Sequence, residues 1–204
     1  MEKKEKVIVY VDGFNLYFGI KSKYPKAKWL NIWALAQNIL KPHQELIEVK
    51  YFTSRVSNNP PKEKRQREFL DVLLTTPVKI YYGHYKSKPV NCKKCGHNWN
   101  SNEEKMTDVN IAVHMITDAM QGKYDTAILV SGDSDLIPPI ETVHTFFDPK
   151  RVLVVFPPDR HNISVKNVAK GSFIIGRQKL MQNQFPDNVE TKSGYIISKP
   201  KEWD

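Results

Sequence analysis

Four aspartates stand at places in the sequence where a metal-assisted reaction could be built. Asp12 directly follows the apolar run 7–11, and Asp133 and Asp135 follow the apolar run 126–130. Both runs are short and rich in β-branched residues, which predicts buried strands. In α/β folds, ligands bind outside the carboxyl ends of the strands. We therefore expect these three carboxylates to share one edge of a sheet.

The fourth aspartate, Asp108, falls on a predicted helix that ends at Gly122. An apolar stripe predicts this helix. The stripe consists of Val109, Ala112, Val113, Ile116, Ala119 and Met120. Asp108 lies four residues before Ala112 and seven before Met115, which places it on the inward side of the helix. A carboxylate buried there needs a partner, because an unpaired buried charge is costly.

Convergence of the four carboxylates would favour a divalent cation. Two like charges about 4 Å apart repel by about 1 kcal/mol in water and by about 4 kcal/mol at an effective dielectric constant of about 20. Several such pairs would not persist without a cation or a proton among them. Ligation by oxygen alone favours Mg²⁺ or Mn²⁺ over zinc. Such ions activate water and stabilise charge on a phosphodiester, so the pattern predicts metal-assisted phosphodiester hydrolysis.

Each aspartate also has a structural interpretation of its own. Asp12 with Gly13 is a common turn, and Asp133 and Asp135 are good N-caps for a following helix. Asp108 could simply pair with a lysine. Independent caps, however, have no reason to share one edge of a sheet, so the combination favours a site.

The elements that must position these residues alternate between strand and helix. Strands are predicted over 7–11, 46–52, 78–85, 126–130 and 151–156, with helices over 31–40, 62–74 and 137–147 besides the one that holds Asp108. This alternation predicts an α/β three-layer sandwich with a mostly parallel central sheet of about five strands. The pattern of strands and helices is interrupted over residues 86–102, which predicts a surface insertion there. We expect one domain over 1–176 and a C-terminal extension over 177–204.

Composition narrows the class of protein. The net charge is +9 and the isoelectric point is near 9.4, which favours a polyanionic partner such as nucleic acid. No apolar run approaches the roughly 20 residues that a membrane span needs. The charged start, 1–6, leads into too short an apolar run for a secretory signal. We therefore expect a cytoplasmic protein without a membrane partner.

Three segments together resemble the NYN domain, a PIN-like nuclease family that includes the LabA-like bacterial proteins. They are VYVDGFNL at 9–16, EKMTDV at 104–109 and VSGDSD at 130–135. Their order and separation match the family, and the resemblance covers roughly residues 6–175. It implies a Rossmann-like sheet with an acidic metal site and a role in cleaving or binding RNA.

The resemblance also implies roles for single residues. Asp12, Asp108 and Asp133 match the family's metal carboxylates. Asp135 would support them directly or through water. Asn15 would orient Asp12 or a phosphate.

The remaining matched positions lie beside these carboxylates. Ser131 would line the site. Glu104 and Lys105 match the Glu-Lys pair before the family's aspartate, and Lys105 could contact a phosphate. Pro138 stands where the family often has proline.

The predicted insertion carries Cys92 and Cys95, spaced like half of a zinc ribbon. A closed structural zinc site takes four ligands. His97, His84 or a second subunit, as in a homodimer, would have to complete it. The alternative is a reduced, exposed pair of thiols in a loop.

Two basic segments carry aromatic residues among their lysines. The first holds Lys21, Lys23, Lys26 and Lys28 with Tyr24 and Trp29; the second holds Lys86, Lys88, Lys93 and Lys94 with Tyr85 and Trp99. Such mixtures suit single-stranded nucleic acid, although a solvated charged surface is the simpler interpretation. We expect Lys21, Lys23, Tyr24, Lys93 and Lys94 to contact substrate.

The sequence thus predicts a metal-dependent ribonuclease, with DNA left open as a substrate. The alternative from another class is an RNA-binding or adaptor module with a degenerate acidic pocket. Intact Asp12, Asp108 and Asp133 argue against degeneration. A phosphatase with a nucleophilic aspartate usually has a second aspartate two positions later, where this chain has Phe14.

Overall fold

Six parallel strands form the central sheet in the computed structural model, which describes residues 4–91 and 93–203. Within these ranges the strands are β1 (Glu5–Asp12), β2 (Gln44–Thr53), β3 (Lys79–Tyr82), β4 (His84–Asn91), β5 (Asn98–Lys105), β6 (Thr126–Val130), β7 (Arg151–Phe156), β8 (Ser172–Ile174), β9 (Asn188–Glu190) and β10 (Ile196–Ser198). The sheet has the order β3-β2-β1-β6-β7-β8, and every neighbouring pair in it is parallel. The predicted α/β fold is confirmed, with β8 as a strand that the sequence pattern did not reveal.

Helices cover both faces of the sheet. They are α1 (Gly13–Lys23), α2 (Ile32–Ile39), α3 (Pro60–Leu73), α4 (Thr107–Met120), α5 (Ile137–Phe146), α6 (Ile163–Val168) and α7 (Arg177–Gln182). Side chains alternate across a strand, so Val7, Val9 and Val11 of β1 pack under α1, α2 and α3. Ile8 and Tyr10 face the core under α4, α5 and α6. None of the helices in the described ranges is long and apolar enough to cross a membrane.

One predicted boundary beside the insertion was wrong. The strand expected over 78–85 ends at Tyr82, and His84 already belongs to β4. The segment predicted as a surface insertion forms an antiparallel hairpin of β4 and β5, closed by a turn at 93–95. Cross-strand hydrogen bonds satisfy the backbone there without an apolar pattern in the sequence.

The buried side of α4 also differs from the predicted stripe. Val109, Val113 and Met120 are exposed, each with more than half of its surface accessible. Ile111, Met115 and Asp118 are buried instead. The helix is therefore rotated relative to the prediction, because its inward side contains a charged residue that an apolar pattern does not count.

The C-terminal segment packs into the core under α1, α2 and α3. Phe185 and Trp203 contact Trp29 at centroid distances of 6.0 and 5.9 Å. Leu180 and Ile197 join the same cluster of buried side chains. Residues predicted to be an extension thus complete one side of the sheet.

Candidate active site

Asp12 ends the central strand β1 and caps helix α1. Its Oδ1 accepts a hydrogen bond from the backbone N–H of Asn15 at 3.0 Å, and its Oδ2 accepts one from the Ser131 hydroxyl at 2.9 Å. The side chain is buried. An N-cap aspartate stabilises the helix that follows it, so capping and site formation coincide here.

Asp133 follows β6, the strand that pairs with β1. Val11 and Val130 are partners in that pairing, so the residues after them meet at the same edge. The backbone N–H of Asp133 donates to the Ser131 hydroxyl oxygen at 3.1 Å. Its carboxylate Oδ1 accepts from the N–H of Asp135 at 3.0 Å. Ser131 therefore connects two aspartates that are distant in sequence.

Asp108 enters from the first turn of α4. Its carboxylate is half-buried, and burial raises its pKa, with further increases from the negative charges of Asp133 and Asp135. One carboxylate oxygen from each of Asp12, Asp108 and Asp133 lies within 4.8 Å of the others. The structure thus brings together three of the four aspartates that the sequence singled out.

The donor set of this cluster suits a hard divalent cation. It consists of carboxylate oxygens, the ligands that Mg²⁺ and Mn²⁺ prefer. Burial, and after it the negative charges of Asp133 and Asp135, raise the pKa of Asp108, and a bound cation would offset both costs. Within the described ranges, the three aspartates are the only group of His, Cys, Asp or Glu side chains close enough to share an ion. They could therefore hold one metal ion.

Asn15 and Asp135 lie beside this cluster. The Asn15 Oδ1 accepts a hydrogen bond from the backbone N–H of Gly132 at 3.0 Å, which ties α1 to the segment after β6. Asp135 is exposed and is not one of the three clustered aspartates, although its charge reaches Asp108. Both residues stand where they could assist the cluster from outside it.

Glu104 and Lys105 end β5, two positions before α4. Met106 separates them from the helix with a left-handed backbone, φ +77°. Their side chains lie outside the described part of the structure, so their roles stay a prediction.

The first basic segment divides between surface and core. Lys21 and Lys23 are exposed, and Lys23 Nζ lies 3.2 Å from a carboxylate oxygen of Asp159. Tyr24 is half-buried against the core. Trp29, which a stacking surface would need exposed, is fully buried in that core.

The second basic segment lies in the hairpin. Lys93 and Lys94 are exposed in its turn, as is Cys95. Cys92 and the side chain of His84 lie outside the described residues. The zinc hypothesis therefore stays a prediction.

A polar loop after β7 completes the edge, and its residues were not among those predicted from the sequence. Asn162 Nδ2 donates to the carbonyl of Gly132 at 3.1 Å. Arg160 and His161 line a polar cleft of about 500 Å³ together with Asp133. The available signal was the polar run 159–162 after a buried strand, which the strand-end rule covers.

Gly132 permits this close approach. A Cβ atom added to it would lie 1.8 Å from the carbonyl oxygen of Arg160. Only a residue without a side chain lets the two segments pack together here.

The site and the sheet together agree with the family comparison, in which the sequence profile of the NYN domain matches residues 6–193. This chain belongs to the NYN domain family. The resemblance seen in the three sequence segments is thereby confirmed, and with it the expectation of a PIN-like nuclease fold.

Two named proteins show how far the similarity extends. The chain is 26% identical over 193 residues to 6-hydroxy-3-succinoylpyridine 3-monooxygenase HspA of Pseudomonas putida (strain DSM 28022 / S16), a match that covers 76% of this chain and 61% of that protein. The crystal structure of a protein of unknown function from Vibrio parahaemolyticus RIMD 2210633 superposes with a TM-score of 0.59 at 23% identity. It covers 87% of this NYN protein and 98% of the Vibrio chain, and supports the fold alone.

Proposed function

We propose that this NYN protein is a metal-dependent ribonuclease that hydrolyses phosphodiester bonds of single-stranded RNA. The observation that carries the proposal is the convergence of Asp12, Asp108 and Asp133 within 4.8 Å at one sheet edge. The monooxygenase match spans only 61% of that relative, so the proposal is based on the site and the family instead.

The three aspartates would hold one Mg²⁺ or Mn²⁺. When bound, such an ion supplies Lewis-acid stabilisation of the phosphodiester and promotes deprotonation of water. Asp12 is held on both oxygens by Asn15 and Ser131, which fixes its orientation. Asp133 is held through its backbone and one oxygen. The chain thus preorganises two ligands before an ion arrives, which reduces the cost of binding it.

Cations around the cluster would hold the RNA backbone. Arg160 and His161 line the cleft beside Asp133. Lys21 and Lys23 are exposed on the last turn of α1, which begins at the site. Lys93 and Lys94 in the hairpin turn, and Lys105 at its base, would extend this contact along the strand. The overall charge of +9 fits a polyanionic substrate.

The competing function is a module that binds RNA without cutting it. Uncompensated carboxylates repel phosphate, so a pure binder would gain nothing from three of them in contact range. Burial raises the pKa of Asp108, and the charges of Asp133 and Asp135 raise it further, so this carboxylate is costly to keep ionised without a compensating cation. This observation favours the nuclease.

The decisive experiment incubates purified protein with end-labelled single-stranded RNA, with Mn²⁺, with Mg²⁺, or with a chelator. We expect cleavage that needs the ion and that falls by orders of magnitude in Asp133→Asn. Asp71→Asn, an exposed aspartate of α3 outside the cluster, is the matched control and should cut normally. A DNA strand of the same sequence tests the preference for RNA.

Two results would reject the nuclease. Salt-dependent RNA binding without cleavage under either ion would favour the binding module. Equal cleavage by the wild type and Asp133→Asn would place the activity in a contaminant or at another site.

A further inference from the structure

A second cavity, of about 210 Å³, lies between α1, α3 and the C-terminal turn at 201–203. Leu16, Ile20 and Leu30 are buried and form its floor. Phe18, Lys21 and Lys62 are exposed and stand at its mouth. The cavity is smaller than the roughly 300–1,000 Å³ of sites for drug-sized ligands, so it suits one ring system with a short substituent.

Aromatic side chains supply much of the wall. Six of them line the cavity: Phe14, Tyr17, Phe18, Tyr51, Phe69 and Trp203. A planar ring gains dispersion and stacking contacts against such walls, and bases of single-stranded nucleic acid commonly bind in this way. The wall therefore favours an aromatic ligand over an aliphatic one.

The charges of the cavity are all positive. Lys21, Lys28, Lys62 and Arg65 line it, and no carboxylate occurs among its described lining residues. Burial lowers the pKa of Lys28, and the charges of Arg65 and Lys21 lower it further. Three cations close enough to repel one another would be stabilised by an anion.

One carboxylate from outside the cavity, that of Glu202, partly stabilises these cations. Glu202 Oε1 accepts from Arg65 Nη1 at 2.9 Å, and the Glu202 carbonyl accepts from Lys28 Nζ at 3.2 Å. The Glu202 side chain is mostly exposed, so a ligand anion could displace it from Arg65 at small cost.

One end of the cavity reaches the sheet edge that carries the aspartate cluster. Gly13 and Thr53 both line it. Gly13 directly follows Asp12, and Asp12 pairs with Phe52, the neighbour of Thr53, across β1 and β2. A ligand in the cavity is therefore next to Asp12, on the side covered by α1 and α3.

We propose that this cavity binds one nucleotide of the RNA strand, with the base between the aromatic walls and its phosphate on Lys28 and Arg65. This inference rests on the proposed ribonuclease function and adds to it a base-binding subsite beside the aspartates. The same chemistry, an aromatic ring that carries an anion, is also that of a free aromatic acid, and the experiment separates the two sources.

The test is calorimetric titration of the full chain with AMP, UMP, ribose 5-phosphate and benzoate, with chelator present. AMP or UMP should bind at least about tenfold more tightly than ribose 5-phosphate, because the ring adds contact. Arg65→Ala should weaken nucleotide binding by at least about tenfold. Glu202→Gln should strengthen it, because a competing anion is removed. Lys64→Ala, an exposed cation beside Arg65 in sequence, is the control and should leave binding unchanged.

The outcomes separate this inference from the function on which it rests. RNA cleavage that depends on Asp133, together with no nucleotide binding to the cavity, would overturn the subsite alone. Equal affinity for AMP and ribose 5-phosphate, or benzoate bound more tightly than AMP, would also overturn it. Tighter binding in Glu202→Gln with a wild-type melting temperature would support it even if Arg65→Ala fails to fold.

Discussion

The Ser131 hydroxyl donates a hydrogen bond to the Asp12 carboxylate across 2.9 Å, although 119 residues separate the two in sequence. Ser131 is fully buried, and its oxygen also accepts the N–H of Asp133. A single hydroxyl thus couples the ends of β1 and β6. This coupling ties the carboxylate of Asp12 to the backbone of Asp133.

Ser131→Ala should therefore loosen the site as well as the fold. Loss of a buried donor costs about 1–3 kcal/mol, and misplaced ligands should lower cleavage by about tenfold or more. Ser22→Ala removes a similar hydroxyl–carboxylate contact on the surface, with Asp159, and serves as the control. Denaturant unfolding and cleavage rates check both effects. A variant with wild-type activity would mean that Ser131 does not position Asp12.

Asp108→Asn should stabilise the metal-free protein at neutral pH. Its pKa is raised in the folded state by burial and by Asp133 and Asp135. Such a group favours folding below its unfolded pKa, and that contribution is lost as the pH rises through the folded value. Removing the charge should therefore raise the melting temperature at pH 7, and the gain should shrink under acid.

The same melting temperatures should be measured again with saturating Mn²⁺. An ion that binds only the folded wild type adds stability by mass action. We expect Mn²⁺ to reverse the order of melting temperatures, so that the wild type exceeds Asp108→Asn. An identical melting temperature with and without Mn²⁺ in the wild type would argue against a metal site.

Gly132→Ala should be strongly destabilising. Its Cβ would collide with the Arg160 carbonyl at 1.8 Å, and a backbone atom cannot rotate away. We expect a loss of at least about 2 kcal/mol, at the upper end of overpacking effects, together with impaired cleavage. Gly176→Ala is the control, since its Cβ would meet nothing within 4 Å, and its effect should stay within about 1 kcal/mol. Similar stabilities for the two variants would contradict the close packing of these loops.

The aspartates were predictable from sequence because each stands at a strand end or a helix start, and parallel pairing brings such positions together. The orientation of α4 was not predictable from sequence, because its buried side includes Asp118, which accepts hydrogen bonds from Tyr10 and Lys50. An apolar pattern assigns such a residue to the surface. Because Val113 is apolar, it was counted in the predicted buried stripe, although the structure exposes it to solvent.

The role of the first basic segment also depended on contacts that are distant in sequence. Trp29 lies among lysines, which favoured a stacking surface. Its ring is instead covered by Phe185 and Trp203, more than 150 positions later. No local pattern shows which aromatic residues such a late segment will bury. The polar loop with Arg160 also follows a buried strand, so the same strand-end rule could have predicted its place at the site. Only acidic residues were considered at the strand ends.

The hairpin supplies a prediction about zinc. If Cys92 and Cys95 bind it, protein purified without chelator should carry about one zinc per chain. Changing both cysteines to serine should abolish that zinc and leave Mn²⁺-dependent cleavage measurable. Light scattering of the zinc-loaded protein would detect a site completed by a second subunit. Zinc-free protein by metal analysis would count against the hypothesis.

Removing one partner of the buried ion pair between Lys50 and Asp118 should destabilise the protein strongly without a direct effect on cleavage. Both side chains are almost fully inaccessible. Burial alone would raise the pKa of Asp118, but hydrogen bonds from Lys50, Tyr10 and Lys123 outweigh it and lower that pKa. Removing one partner of a buried pair typically costs about 3–5 kcal/mol. We expect such a loss in Lys50→Met, with part of it recovered when Asp118→Asn is added.

Acid should remove the effect of the Asp118 charge on the free energy of unfolding. A carboxyl group whose pKa is lowered by folding contributes stability above its unfolded pKa, and that contribution is lost as the pH falls through the folded value. The difference in unfolding free energy between wild type and Asp118→Asn should therefore be largest near pH 7 and close under acid. Asp71→Asn, at an exposed site of α3, is the control variant. A difference that stays constant from neutral pH into acid would show that Asp118 acts through packing instead of charge.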